Sequence, residues 1–258
     1  MPPTLAVFGG TGDCAGYCLA AALIAGHTCT ALARTPAKLT ASLKAKGVQE
    51  TTLQSNLTII PGDVRDISAV KRTLLHPTTN QSMEMIISGI GGSPVLQWSL
   101  FRPVTLNDPT ICQEAGATLL QALQEIKPTK KPILINVSGT GIKPDGGPRD
   151  VPLAIWPLYH WLLATPHEDK RVMETKLKAH MRLAAAERGV ESYVNVRPSL
   201  LVDGPGLGLE QVRDGPDERP AIGYTIQRGD VGKWMYEKLI KPGKIKQEWV
   251  NNGVCLTY

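Results

Sequence analysis

The sequence predicts an α/β protein: a Rossmann-like, doubly wound parallel sheet with helices on both faces and a smaller carboxyl-terminal portion for substrate. Three observations carry this expectation. Short apolar runs alternate with stretches of helical composition, the first run ends in a glycine-rich turn that opens a helix, and 258 residues with 42% hydrophobic content suffice for a large buried core. One domain over residues 1–258 is therefore expected.

The elements follow in order. Thr4 to Phe8 is a short apolar strand, and "YCLAAALIAG" after the glycines is a helix that Gly26 stops. Thr28 to Arg34, "TCTALAR", is the second strand; "LTIIPGDV" is a strand and turn, "ISAVKRTLL" a helix, and "EMIISGIGG" a buried strand ending in glycines. Asn107-Asp108-Pro109 opens a long helix running from about Pro109 to Ile126. "PILINVSGTG" at Pro132 to Gly141 and "YVNVRPSLLV" at Tyr193 to Val202 are further buried strands. Two stretches rich in Gly and Pro, about 142–170 and 203–223, follow strand carboxyl ends, where open α/β sheets bind ligands; they are expected to shape a substrate pocket.

Lys and Arg outnumber Asp and Glu by 28 to 23 with no basic run, which argues against a nucleic-acid partner. Cys14, Cys18, Cys29, Cys112 and Cys255 form no CxxC pair and have no histidine at zinc spacing. An odd number makes a poor disulfide framework, so a reduced cytoplasmic compartment and no metal are expected. No basic stretch precedes an apolar run at the amino terminus, and no segment reaches the roughly 18–20 apolar residues that cross a bilayer, so no membrane association is expected.

The turn "VFGGTGDCAG" carries the first functional signal. A turn from a first strand into a first helix needs glycines to be tight and to let the backbone approach a pyrophosphate resting on the helix amino end. Gly9, Gly10 and Gly12 meet both demands, Ala15 stands at the third motif position beside Gly16, and Thr11, Asp13 and Cys14 complete the cofactor turn. The Gly-Lys-Ser/Thr ending of an ATP-type loop is missing. The second strand ends at Arg34 with Lys38 beyond it, where an NAD site usually has an acid; a planar fork and a point charge suit the 2′-phosphate of NADP(H) instead.

Further motifs occur in order: "ALARTPAKL", "GDVRD" at Gly62 to Asp66, "ISGIGG" at Ile87 to Gly92, "VSGTG" at Val137 to Gly141, "VNVRPSLLVDG" at Val194 to Gly204 and "IQRGDVGKWM" at Ile226 to Met235. As a set spanning nearly the whole chain, they resemble an atypical short-chain dehydrogenase/reductase of the NmrA-like group. More loosely, "PLYHWLLATPHEDK" is similar to fungal secondary-metabolite tailoring enzymes of the averufin oxidase type. The resemblance implies NADP(H) across the strand ends. Asp63 and Val64 would flank the adenine, Ser88, Gly89 and Ile90 would line the ribose and nicotinamide path, and Arg197, Pro198 and Ser199 would pass near the nicotinamide. Asp63 also reads as a turn residue after Gly62, and the two readings are compatible.

One part of the family pattern is missing. Such enzymes pair a serine at the fifth major strand with a downstream Tyr-x-x-x-Lys, whose tyrosine handles the proton that accompanies hydride transfer. Ser138 stands in place, but no tyrosine has lysine at that spacing. If Lys170 is the helical lysine, Pro166 occupies the tyrosine position; if Lys178 is, Glu174 does. Tyr159, His160, His167 or the pair Glu168 and Asp169 are the candidate replacements, His160 reading equally as a packed core histidine and "PHEDK" as the charged first turn of a helix. Trp156, Tyr159 and Trp161 form either an apolar wall for a flat substrate or part of the core. A zinc site of His160, His167 and His180 has no supporting spacing.

The expected function is an NADP(H)-dependent oxidoreductase acting on a hydrophobic polyketide, terpenoid or alkaloid intermediate. The missing tyrosine keeps two alternatives open: a non-redox isomerase or cyclase that retains the dinucleotide, and an NADP-sensing protein without catalysis.

Overall fold

A computed structural model describes residues 2–99, 103–142 and 146–258. Its main sheet uses β1 (Leu5–Phe8), β2 (Cys29–Ala33), β3 (Leu57–Pro61), β4 (Met85–Ser88), β7 (Ile133–Val137), β8 (Ser192–Pro198), β10 (Arg213–Pro216) and β12 (Asn252–Thr257). Two small sheets pair β5 (Pro94–Leu96) with β6 (Val104–Leu106) and β9 (Leu200–Val202) with β11 (Thr225–Gln227). The helices are α1 (Asp13–Ile24), α2 (Pro36–Ala45), α3 (Glu50–Asn56), α4 (Ile67–Leu74), α5 (Ile111–Ile126), α6 (Trp156–Leu162), α7 (Ala164–Met181) and α8 (Arg228–Met235).

The main sheet runs β10-β12-β8-β7-β4-β1-β2-β3, parallel throughout except where β10 pairs antiparallel with β12 at the edge. The alternation expected from the sequence is present, with apolar layers on both faces. Leu5 and Val7 point into a core shared with α1, α2 and α8, whereas Ala6 and Phe8 point into a second core with α4, α5 and α7. Each fully buried Leu or Ile there contributes about 1.5–3 kcal/mol. The chain steps outward from β1 through β2 to β3, then returns to β4 on the other side of β1. That reversal opens a crevice at the carboxyl ends of β1 and β4.

Several local expectations need correction. The long helix begins at Ile111, not Pro109, because Asn107 and Asp108 are engaged elsewhere: Asn107 Oδ1 accepts from the Ser93 N–H at 2.7 Å, and Asp108 pairs with Arg65 at 2.6 Å. The run Tyr193 to Val202 is two strands, since the chain turns at Ser199 and Leu200–Val202 leaves the main sheet to pair with β11. The segment 142–170 is not a loop alone; it contains α6 and the first turns of α7. Among the described residues, no helix is long and apolar enough to cross a membrane.

Candidate active site

Gly9 leaves β1 with φ +76°, and a Cβ there would lie 2.7 Å from the carbonyl carbon of Gly89, so only glycine lets the turns after β1 and β4 touch. The turn closes through Gly12 N–H to Gly9 O at 2.9 Å. No side chain caps α1, unlike α4, where Asp66 Oδ1 accepts from Ser68 and Ala69 N–H. The first amide N–H groups of α1 are thus left for a ligand, and a phosphate fits them.

A cleft of about 300 Å³ runs along these strand ends. Gly9, Thr11, Gly12, Arg34, Lys38, Asp63, Val64, Gly89 and Ile90 line it. Arg34 and Lys38 are exposed and, among the described residues, pair with no carboxylate. Asp63 lines the cleft while its Oδ1 accepts from Arg65 N–H at 2.9 Å, so its turn role and its cleft position coexist. Gly10, Cys14, Ala15 and Ser88 are buried beneath the cleft; Gly10 lets Leu19 and Leu39 pack close, its added Cβ standing 3.3 Å from each.

Beyond the cleft, α7 delivers two side chains one turn apart to the end of β7. Lys170 Nζ donates to Val137 O at 2.9 Å, and Glu174 Oε1 accepts from the Ser138 hydroxyl at 2.6 Å. Glu174 is held in turn by Arg197, whose Nε and Nη2 donate to its two oxygens at 3.1 and 2.6 Å. Arg197 is fully buried and also pairs with Asp217. Its guanidinium is thereby committed to two carboxylates. Pro198 and Ser199 are also buried; Ser199 Oγ bonds Thr257 Oγ1 at 3.0 Å.

Of the two candidate lysines, Lys170 is the one at Ser138; Lys178, two turns on, bears instead on Asp217, whose carboxyl is raised chiefly by burial and lowered by Arg197 and then Lys178. Glu174, four residues before Lys178, is the side chain bonded to Ser138. Asp169 is buried and accepts from Cys112 and Gln113 N–H, both at 2.9 Å, so it caps α5 across 57 residues. Glu168 is exposed and pairs with Arg171. Neither acid reaches Ser138 among the described contacts.

Tyr159 is buried, with its hydroxyl 3.2 Å from Thr140 Oγ1 and its ring 5.3 Å from His167. Burial pushes the Tyr159 phenol up, and burial followed by the charge on His160 pushes His167 down to about 3. His167 is thus a neutral imidazole. His160 bonds its own helix through Nδ1 and Trp156 O at 3.0 Å. Trp156 and Trp161 are exposed, so only Tyr159 of the aromatic trio enters the interior. His180 sits at the far end of α7 and accepts from Gly189 N–H at 2.9 Å; among the described residues, no cluster of His, Cys, Asp or Glu able to hold a metal is present.

Sequence reasoning placed Glu174 at the tyrosine position opposite Ser138 only as one of two alternatives, and did not find Asp169 as a helix cap. The signal available was the Lys170 to Glu174 spacing of four, which puts both on one helix face.

A family model described as NAD(P)H-binding matches residues 9–242. The chain is 44% identical over 99% of its length to Reductase pytE of Aspergillus terreus, covering 98% of that protein. It is 39% identical over 99% of its length to Oxidase pynE of Aspergillus niger, again covering 98%. Among solved structures, a short-chain dehydrogenase/reductase from Veillonella parvula in complex with NADP superimposes with a TM-score of 0.68 at 15% identity, over 100% of this chain and 95% of that one. The oxidoreductase ylbE from Lactococcus lactis gives 0.62 at 16%, over 97% and 89%.

Proposed function

The chain belongs to the NAD(P)H-binding family of atypical short-chain dehydrogenases/reductases, and from that premise we propose an NADP(H)-dependent oxidoreductase acting on a hydrophobic secondary-metabolite intermediate. The observation that carries the choice of NADP(H) is the pair of unpaired cations, Arg34 and Lys38, on the cleft beside the glycine turn. The relatives named as a reductase and an oxidase support redox chemistry on this scaffold. The resemblance to fungal tailoring enzymes and the exposed apolar side chains of Leu153, Trp156 and Trp161 beside Tyr159 support a hydrophobic substrate.

The bound cofactor supplies or accepts the hydride. This chain's residues bind it and handle the proton. Ser138 donates its hydroxyl hydrogen bond to Glu174, so it offers a substrate lone pairs only. Lys170 bonds Val137 O and also meets the Cys112 thiol, and we assign its remaining N–H the hydrogen bond to the substrate oxygen. Tyr159 and His167 form the apolar floor beneath, their burial keeping both neutral. Five buried, unpaired cysteines support a reducing, cytoplasmic setting.

The test is to incubate the purified protein with NADPH and candidate pathway intermediates, following nicotinamide absorbance and product mass together. Stoichiometric NADPH loss with a reduced product is expected. Product without NADPH loss would select the non-redox isomerase or cyclase reading, which the missing Tyr-x-x-x-Lys favours.

A further inference from the structure

We propose that Lys46 is a cofactor-positioning residue: by holding the Asp13 carboxylate, it keeps the first-turn N–H groups of α1 free for the dinucleotide pyrophosphate. The inference rests on the dinucleotide reading above. Asp13 is the first residue of α1, where a carboxylate is drawn to the helix amino end and adds negative charge beside any phosphate bound there. Its side chain nevertheless makes no cap. Asp13 Oδ1 instead meets Lys46 Nζ at 2.9 Å.

Lys46 is fixed more firmly than a surface ion pair requires. It leaves the carboxyl end of α2 and crosses to α1, where only 8% of its side chain is exposed. Its ammonium donates to Ser42 Oγ at 2.8 Å and stands 4.9 Å from the centre of the Tyr17 ring. Its path passes Gly16, where an added Cβ would stand 3.3 Å from Lys46 Cε. Asp13 is 45% exposed, so the pair returns little stability for ordering so long a side chain. The arrangement makes sense as a device for turning a carboxylate away from the phosphate site. Lys46 itself does not line the cleft, which separates its role from that of Arg34.

The test titrates NADPH and NADH, by nicotinamide fluorescence, into wild type, Lys46→Met, Asp13→Asn and the double variant, with thermal melting as a fold control. Lys46→Met should weaken both nucleotides by the same factor, roughly five- to tenfold, because both carry the pyrophosphate. Asp13→Asn, which removes the opposing charge, should bind both nucleotides tighter than wild type, and adding it to Lys46→Met should restore affinity. A loss confined to NADPH would make Lys46 a 2′-phosphate ligand and overturn the inference. So would a double variant as weak as Lys46→Met alone. The choice of NADP(H) over NAD(H) is read separately, from the ratio of the two wild-type affinities.

Discussion

Replacing Glu174 by alanine strands the most deeply buried charge near the site. Arg197 is fully buried and would lose both hydrogen bonds to Glu174, at 3.1 and 2.6 Å, keeping Asp217 alone, while Ser138 would lose its acceptor. Removing one partner of a buried pair costs about 3–5 kcal/mol because the remaining charge is left without compensation. In a chain of this size each kcal/mol lowers the melting temperature by about 2–4 °C, so a fall of roughly 10 °C is expected. The matched control removes all three charges: Glu174→Met, Arg197→Met and Asp217→Leu together should recover most of the loss, since apolar groups of similar volume are often neutral. Circular-dichroism melts with urea titration at pH 7 measure the wild type, Glu174→Ala and the triple variant. A Glu174→Ala loss below about 1 kcal/mol, or a triple variant no more stable than Glu174→Ala, would refute the argument that this network is held by mutual neutralisation.

Three further outcomes follow from the same geometry. Arg34→Ala should weaken NADPH about 10- to 100-fold, as loss of a charge-assisted contact does, and NADH less than about threefold; equal weakening in paired titrations would remove Arg34 from the phosphate. Asp169→Ala should destabilise α5 by about 1–2 kcal/mol in urea unfolding, whereas Glu168→Ala should change stability by less than about 0.5 kcal/mol; the reverse order would contradict the cap. His167 has a folded pKa of about 3, below its unfolded value of about 6.5, so the native state binds fewer protons between these limits. Its contribution is complete above pH 6.5 and is lost at about 1.4 kcal/mol per pH unit as the pH falls toward 3. His167→Gln should therefore flatten the loss of melting temperature between pH 7 and 5, and an unchanged slope would show that burial does not hold the imidazole neutral.

The first half of the fold was legible because its signals are local. A four-residue apolar run, three glycines and an Ala-rich helix lie within two dozen residues, and Arg34 follows one strand later. The second half hides its logic in distant partners. The buried face of α7 carries His167, Asp169, Glu174 and His180, which in isolation read as a polar, solvated helix. Three of the four are completed by residues outside the helix: Arg197 for Glu174, Cys112 and Gln113 for Asp169, Gly189 for His180. Asn195 and Arg197 are likewise fully buried within β8, where composition alone suggests interruptions. Of the candidate site, the glycine turn and its two cations were visible as a pattern, whereas Ser138 revealed its commitment to Glu174 only when α7 was laid against β7.

The position of β12 also bears on how the chain is made. Residues 252–257 lie inside the sheet between β8 and β10, so β8, every residue of which is buried in the finished protein, has an open backbone edge until residues more than fifty positions later have been synthesised. The nucleotide-binding half can assemble during translation, since β1 to β4 are contiguous in both sequence and sheet. Completion waits for β12 to enter between β8 and β10, and in the interval β8 has an uncovered backbone edge that can template another chain. Expression yield should accordingly respond more to chaperone supply, and to changes in Asn252 to Thr257, than to changes at the exposed cleft.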